Sequence, residues 1–378
     1  MTPILRIMEG NVMTTHTEPS LGEQVEALAG RVFESGLGAL ELYTMHFGRE
    51  LGLYQAMDEA SAQSVGELAE RCGLAHRYVR EWLQSQLISG FVTIDGSDLD
   101  TGRYRLAPGV RETLIDETHA AFVGGIPGIL PTVGAVTSRL LSAFRTGEGV
   151  PYTAYGPQAV SVQAAMNRPA FANSLTTEWL PEIPDILSRL QDTETPARVA
   201  DWCCGVGWSS IALAEAFPHI TVDGYDSDTE SIAAARRNAA ERGVSDRAHF
   251  EVADVSAADD NRGSDYDTGF VFEAIHDLAL PVEALANYRK RLKPGAALVV
   301  MDENVADHLT APGNEVERFL AAASVVWCVP QGYGPGSQVV GAIMRPHLLA
   351  DLALKAGFST VDTLPIEHPF WRFYRLQS

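Results

Sequence analysis

RVADWCCGVGWSSIALAEAF, residues 198–217, is the stretch on which the reading of the fold turns. A short apolar run ends at Asp201, a turn carrying Gly205 and Gly207 follows, and the chain then continues as a helix. Glycines at such a junction let the backbone approach a ligand closely, and the helix start offers free N–H groups. The junction alone is a weak signal, because tight strand-to-helix turns hold glycine for steric reasons as well.

Outward from it, short apolar strands alternate with amphipathic helices, the pattern of a parallel α/β sheet covered on both faces. The strands are RVADWC, ITVDGYD, AHFEVAD, TGFVFEAI, AALVVMD, STVDTLP and WRFYRLQ, the last two adjacent and hairpin-like. Tyr225-Asp226 closes the second strand some twenty residues after the glycines, where a carboxylate can accept both ribose hydroxyls. The competing reading makes Asp226 a cap of the next helix, a task that Ser227 or Asp228 could also do. The third strand ends in Ala253-Asp254-Val255, within reach of an adenine amino group. Three acidic residues at successive strand ends converge on the crevice where open α/β sheets bind ligands.

At 378 residues the chain exceeds one ordinary hydrophobic core, so two domains are expected. An apolar fraction of 46% and a charged fraction of 20% are those of a globular protein. The formal net charge of −21 repels polyanions and argues against nucleic acid as the main partner. Cys72, Cys203, Cys204 and Cys328 show no spaced CxxC pairs, so neither a zinc site nor a disulfide framework is expected and a reducing, cytoplasmic compartment fits. No stretch reaches the roughly 18 uninterrupted apolar residues that cross a bilayer, so no membrane association is expected. Residues 1–20 lack the pattern of a secretory signal and read as a flexible tail.

Residues 24–60 carry apolar positions at helical spacing. SVGELAERCG reads as a helix opened by a Ser64/Glu67 capping box and closed by Gly73; AHRYVREWLQSQLISG is a second, ending at Gly90. FVTIDGSDLDTGRYRLAP alternates around an Asp-Gly turn and reads as a hairpin. Helix, helix, hairpin is a winged helix, and in so acidic a chain its expected task is packing or dimerisation, with DNA reading the lesser expectation. The expected division is a winged-helix dimerisation domain over 21–118, a helical linker and lid over 119–190 with helices at 163–173 and 176–190, and a catalytic domain over 191–378.

In order, D-x-x-C-G-x-G, G-Y-D, A-D-V, F-E-A-I-H-D, L-K-P-G-A and a β-hairpin end resemble the class I S-adenosylmethionine-dependent methyltransferases. The upstream half is similar to the winged-helix dimerisation domain of small-molecule O-methyltransferases. The fold implied is a Rossmann-like seven-stranded α/β sheet with a mainly helical N-terminal winged-helix domain. The cofactor implied is S-adenosyl-L-methionine, the acceptor a small molecule, and the assembly a homodimer. Matched position by position, Asp201, Gly205 and Gly207 fall around the methionine moiety, Asp226 on the ribose and Asp254 on the adenine, with Ser227 and Val255 beside them; Glu273 and Ala274 flank the cofactor. Cys203 departs from the family's usual glycine and would narrow the methionine end. A nicotinamide-dependent dehydrogenase is the rival on this architecture, but its fingerprint wants glycine where Ser210 stands.

His276-Asp277 follows the fourth strand, and histidine can take a proton from a hydroxyl near neutral pH. The resemblance makes His276 the general base and Glu303 the carboxylate that orients it, with Asp277 or Asp302 as caps; alternatively His276 only opens a helix and proximity drives transfer. Trp179, Trp327 and Tyr333 are the expected substrate-side aromatics. No metal is expected, since no His/Asp/Glu cluster has ligand-like spacing. Two other classes stay open: a winged-helix transcription regulator, and a cyclase or decarboxylase that keeps this fold and cofactor.

Overall fold

The computed structural model describes residues 19–257 and 265–378, which divide into two compact units at Pro131/Thr132. The tail read for residues 1–20 lies outside them save for Pro19 and Ser20. The structural division thus falls inside the segment read as linker and lid: 119–131 belongs with the first unit, and 132–190 with the second.

The first unit opens with α1 (Leu21–Glu50), followed by α2 (Leu53–Asp58), α3 (Val65–Cys72) and α4 (His76–Ile88). The helical pattern over 24–60 is therefore two helices, divided where Gly52 takes a φ of 68°, a backbone state that glycine enters without steric cost. Ser20 and Ser64 each close a capping box, with Glu23 and Glu67, and Gly73 ends α3 in the left-handed conformation. Losing the Ser64 cap would cost about 1 kcal/mol. The hairpin β1 (Val92–Asp95) and β2 (Arg103–Leu106) pairs antiparallel, Val92 opposite Leu106, but residues 96–102 connect it in place of a tight Asp-Gly turn. Leu53, Tyr54, Leu68, Leu83 and Tyr104 fill this core. Gly48 lets α1 approach it, since a Cβ there would lie 2.4 Å from the Tyr54 ring. The N-terminal half of α1 stays uncovered, with Leu21, Leu28, Val32 and Phe33 exposed and Leu40 exposed just beyond it.

The second unit begins within α5 (Ile129–Thr146) and continues with α6 (Pro157–Asn173) and α7 (Pro184–Gln191). The helix read over 176–190 is interrupted, because Pro181 and Pro184 cannot donate to a continuing ladder; residues 175–183 form two short turns and α7 starts afresh at Pro184. Then follow β3 (Arg198–Trp202), α8 (Trp208–Ala216), β4 (Thr221–Asp226), α9 (Thr229–Glu241), β5 (Ala248–Val252), β6 (Thr268–Phe272), α10 (Pro281–Arg291) and β7 (Leu298–Glu303). The unit ends with α11 (Glu315–Ala323), α12 (Val329–Gly332), α13 (Pro346–Lys355), β8 (Thr360–Thr363) and β9 (Trp371–Gln377).

The seven strands lie in the order β5-β4-β3-β6-β7-β9-β8, with β9 antiparallel to both of its neighbours. Strand alternation sends Val199, Val222, Phe270, Val299 and Phe373 to one face and Ala200, Val271, Val300 and Tyr374 to the other, each face covered by its own apolar cluster. Sequence order reverses between β3 and β6, so a crevice opens outside their C-terminal ends. No helix among the described residues is long and apolar enough to cross a membrane.

Candidate active site

Asp201, in β3, is buried at 1% exposure. Its Oδ2 accepts from the Ser209 and Ser210 hydroxyls of the first turn of α8, each at 2.6 Å, while Oδ1 has no hydrogen-bond partner among the described residues. Burial pushes its carboxyl up to about 6, against the pull of those two hydroxyls. Ser210 therefore ties α8 to Asp201 at the position where a dinucleotide fingerprint has glycine for close packing.

The turn between Asp201 and α8 is built on left-handed backbone. Cys203 has a φ of 60°, Gly205 of 53° and Gly207 of 81°. The glycine usual in place of Cys203 suits such a conformation, whereas cysteine is strained in it. Its Sγ lies 3.7 Å from the Tyr288 hydroxyl, against the apolar cluster on that face. A Cβ on Gly207 would come within 2.6 Å of Phe250, whereas at Gly205 it would meet only open space.

Asp226, at the end of β4, holds this turn: Oδ2 accepts from Gly205 N–H at 2.9 Å and Oδ1 from Asp228 N–H at 2.9 Å. The cap of α9 is Asp228, accepting from Ser231 N–H at 2.8 Å, so neither Asp226 nor exposed Ser227 caps that helix. Burial raises the Asp226 carboxyl above its ordinary range. Asp254 is exposed beyond β5 and accepts from Ser256 N–H at 2.9 Å, with half-buried Val255 next to it.

Past β6, Glu273 adopts a φ of 50° and its carboxylate takes hydrogen bonds from the Trp371 indole and the Asn167 amide, leaving Oε2 buried without a partner among the described residues. Burial pushes Glu273 up to about 7. His276 follows in a one-turn 3₁₀ segment at 3% exposure. Its Nδ1 lies 2.7 Å from Asp302 Oδ1 and its Nε2 3.2 Å from Asp277 Oδ1. Burial alone would lower its pKa, but the two carboxylates together raise it well above the ordinary histidine value.

The carboxylate that orients His276 is thus Asp302, correcting the reading that gave this place to Glu303. Leu298 and Val300 face the same side of β7 as Asp302, the side on which Ile275 is buried, and alternation turns Glu303 to the opposite side. Glu303, at 7% exposure, makes no hydrogen bond or ion pair through its side chain among the described residues. Burial and then the nearby Glu273 raise its carboxyl well above the usual range.

Of the expected aromatics, Trp327 is buried with its ring 5.1 Å from that of Tyr155 and 6.5 Å from that of Tyr152. Tyr333 is half exposed in the loop after α12. Trp179 is a core residue, 4.8 Å from Phe373 and 5.8 Å from Trp371 between ring centroids, and the substrate-side reading of it is corrected accordingly. The structure adds residues that spacing missed. Tyr152 is near enough to Asp226, Asp228 and Asp277 for their charges to raise its hydroxyl pKa further after burial has done so. Cys328 comes within reach of His276 and Asp277.

Residues 194–338 match a methyltransferase domain model, and residues 38–114 match an Rv2258c-like winged HTH domain. The chain therefore carries a methyltransferase domain preceded by a winged helix-turn-helix domain. The ubiquinone biosynthesis O-methyltransferase of Roseobacter denitrificans is 28% identical over 167 residues, covering 44% of this chain; the match spans 61% of that protein's length. Among solved structures, PigF with S-adenosylhomocysteine superposes at a TM-score of 0.69 with 18% identity, over 92% of this chain and 99% of its own. Human N-acetylserotonin methyltransferase in complex with S-adenosylmethionine does so at 0.63 with 14% identity, over 96% of this chain and 100% of its own. At those identities the likeness establishes the seven-stranded α/β fold with its helical N-terminal domain.

Proposed function

We propose that this protein is an S-adenosylmethionine-dependent methyltransferase that methylates a hydroxyl of a small aromatic or polyketide-like molecule, with His276 as general base. The observation that carries the reading is the buried His276–Asp302 pair, set 2.7 Å apart beside the crevice that Asp201, Gly205 and Asp226 line.

The residues present suit the cofactor. Asp201 keeps a buried Oδ1 without a partner among the described residues, as an ammonium group would require, and the space over Gly205 is open where any other side chain would intrude. Asp201, Gly205 and Gly207 would hold the methionine end, Asp226 the ribose, Asp254 and Val255 the adenine, and Glu273 the flank. Bound there, S-adenosylmethionine supplies an electrophilic methyl group on a sulfonium.

The chain's own residues do the rest. Asp302 accepts the Nδ1–H of His276 and fixes the ring, so that Nε2 is the nitrogen that can take the acceptor's proton. Because the flanking carboxylates favour the charged ring, the working neutral form becomes plentiful only above the ordinary histidine range. Trp327, Tyr152 and Tyr155 offer aromatic surface for an acceptor, and positioning supplies much of the rate. The exposed apolar side of α1 supports a homodimer formed through the first unit, since so large an uncovered stripe is uncommon on a monomer. Free cysteines agree with a cytoplasmic location.

The test is to incubate the protein with methyl-labelled S-adenosylmethionine and a panel of hydroxylated aromatic compounds. Label transfer that wild type performs and His276→Ala loses is the expected result; equal transfer by both would reject the base.

A further inference from the structure

At the edge of the same site, the fold brings the neighbouring His276 and Asp277 together with Cys328, distant from them in sequence, into a ligand set. We propose that His276 Nε2, Asp277 Oδ1 and Cys328 Sγ form a binding site for one thiophilic divalent metal ion of the zinc class.

These three atoms lie within 4.8 Å of one another, and Nε2 and Oδ1 are 3.2 Å apart. A tetrahedral zinc ion, bonded at about 2.0–2.1 Å to nitrogen and oxygen and about 2.3 Å to sulfur, sets its ligand atoms roughly 3.3–3.6 Å apart. The first pair already has that spacing, and the third ligand needs an adjustment on the order of 1 Å. His276 also has the supporting partner of a metal-bound histidine, because Asp302 holds the other ring nitrogen at 2.7 Å. Asp277 Oδ1 is buried and, among the described residues, faces His276 Nε2 at 3.2 Å without a well-formed hydrogen bond, so an ion between them would engage both atoms.

Backbone contacts fix the two segments together. Gly341 N–H donates to His276 C=O at 2.9 Å and Gln338 N–H to Ala279 C=O at 2.7 Å, while a Cβ on Gly332 would strike the Asp277 carbonyl at 2.2 Å. The ligands therefore sit on a frame held in place without the ion. Cysteine and histidine select zinc, cobalt or cadmium over magnesium and calcium, which take oxygen donors. Binding displaces the proton on Sγ and any proton on Nε2. An ion on Nε2 removes the lone pair that a base needs, so loading is inhibitory, a consequence that rests on the base role proposed above; the binding itself does not.

Titration of the apo protein with Co²⁺ tests the site. One equivalent per chain with a thiolate-to-cobalt charge-transfer band, displaced by Zn²⁺ and unaffected by excess Mg²⁺, is expected. Cys328→Ser should abolish the band, and Asp277→Asn should weaken Zn²⁺ binding at least tenfold. Asp302→Asn should keep the band while weakening binding about 10- to 100-fold, the usual effect of a lost supporting partner. Cys72→Ser should change nothing. Absence of the band in wild type, or its survival in Cys328→Ser, overturns the proposal. Zn²⁺ that binds stoichiometrically without slowing methyl transfer would leave the site standing and remove His276 as base.

Discussion

His276 is held between two carboxylates, Asp302 on Nδ1 and Asp277 beside Nε2, and that arrangement sets its pH response. A base must be neutral to accept a proton, and these neighbours stabilise the imidazolium more than burial opposes it. Single-turnover methyl transfer should therefore rise with pH through one ionisation lying above the ordinary histidine value of about 6.5. Asp302→Asn should move that acid limb to lower pH, and a limb that stays in place in this variant would detach Asp302 from the base. His276→Asn should lower turnover roughly 10²- to 10⁴-fold and leave cofactor affinity nearly unchanged. Asp226 predicts the reverse split: Asp226→Ala, losing a carboxylate from a partly buried site, should weaken cofactor binding by roughly 1.5–3 kcal/mol, measured by titration. The position of His276 was legible from its place just after a strand. The choice of Asp302 over Glu303 was legible too, in the alternation L-V-V-M-D-E, but a resemblance to other enzymes drew the reading one residue too far.

The central strands β3, β6 and β7 could be read because each is an apolar run bounded by turn residues, and burial on both faces leaves little else for such a run to be, whereas the edge strands β5 and β8 are partly exposed. Ser64, Glu67 and Gly73 marked the ends of α3 for an equally local reason, side-chain chemistry that satisfies free backbone groups. Residues 175–183 were not legible in the same way. Apolar spacing continues through them, and only the prolines show that the helical ladder must stop. Trp179 sits in that stretch and packs on the sheet through Trp371 and Phe373 and on α6 through Phe171, so its work is structural. Trp179→Ala should lower unfolding stability by about 3–5 kcal/mol in denaturant titrations. Native stability with impaired acceptor binding in that variant would return it to the substrate side.

For the whole molecule, the acidic charge disfavours nucleic acid, and the exposed apolar residues of α1 are what support the proposed association with a second copy, against the mutual repulsion of two acidic chains. Replacing Leu28 and Val32 by Glu should convert a dimer into a monomer by light scattering at micromolar concentration; wild type that is already monomeric would refute the dimer. Two domains and their kinds were legible in order and composition, whereas the proximity of Cys328 to His276 was not, because nothing in sequence spacing reports which loops a sheet brings together at its edge. The crevice outside the ends of β3 and β6 is the proposed seat of the cofactor. Isothermal calorimetry of the protein with S-adenosylmethionine, S-adenosylhomocysteine and NAD tests it most directly. Saturable one-to-one binding of the first two, lost progressively in Asp226→Ala, with no heat from NAD, is the result predicted; preference for NAD, or no binding of either sulfur compound, would contradict it.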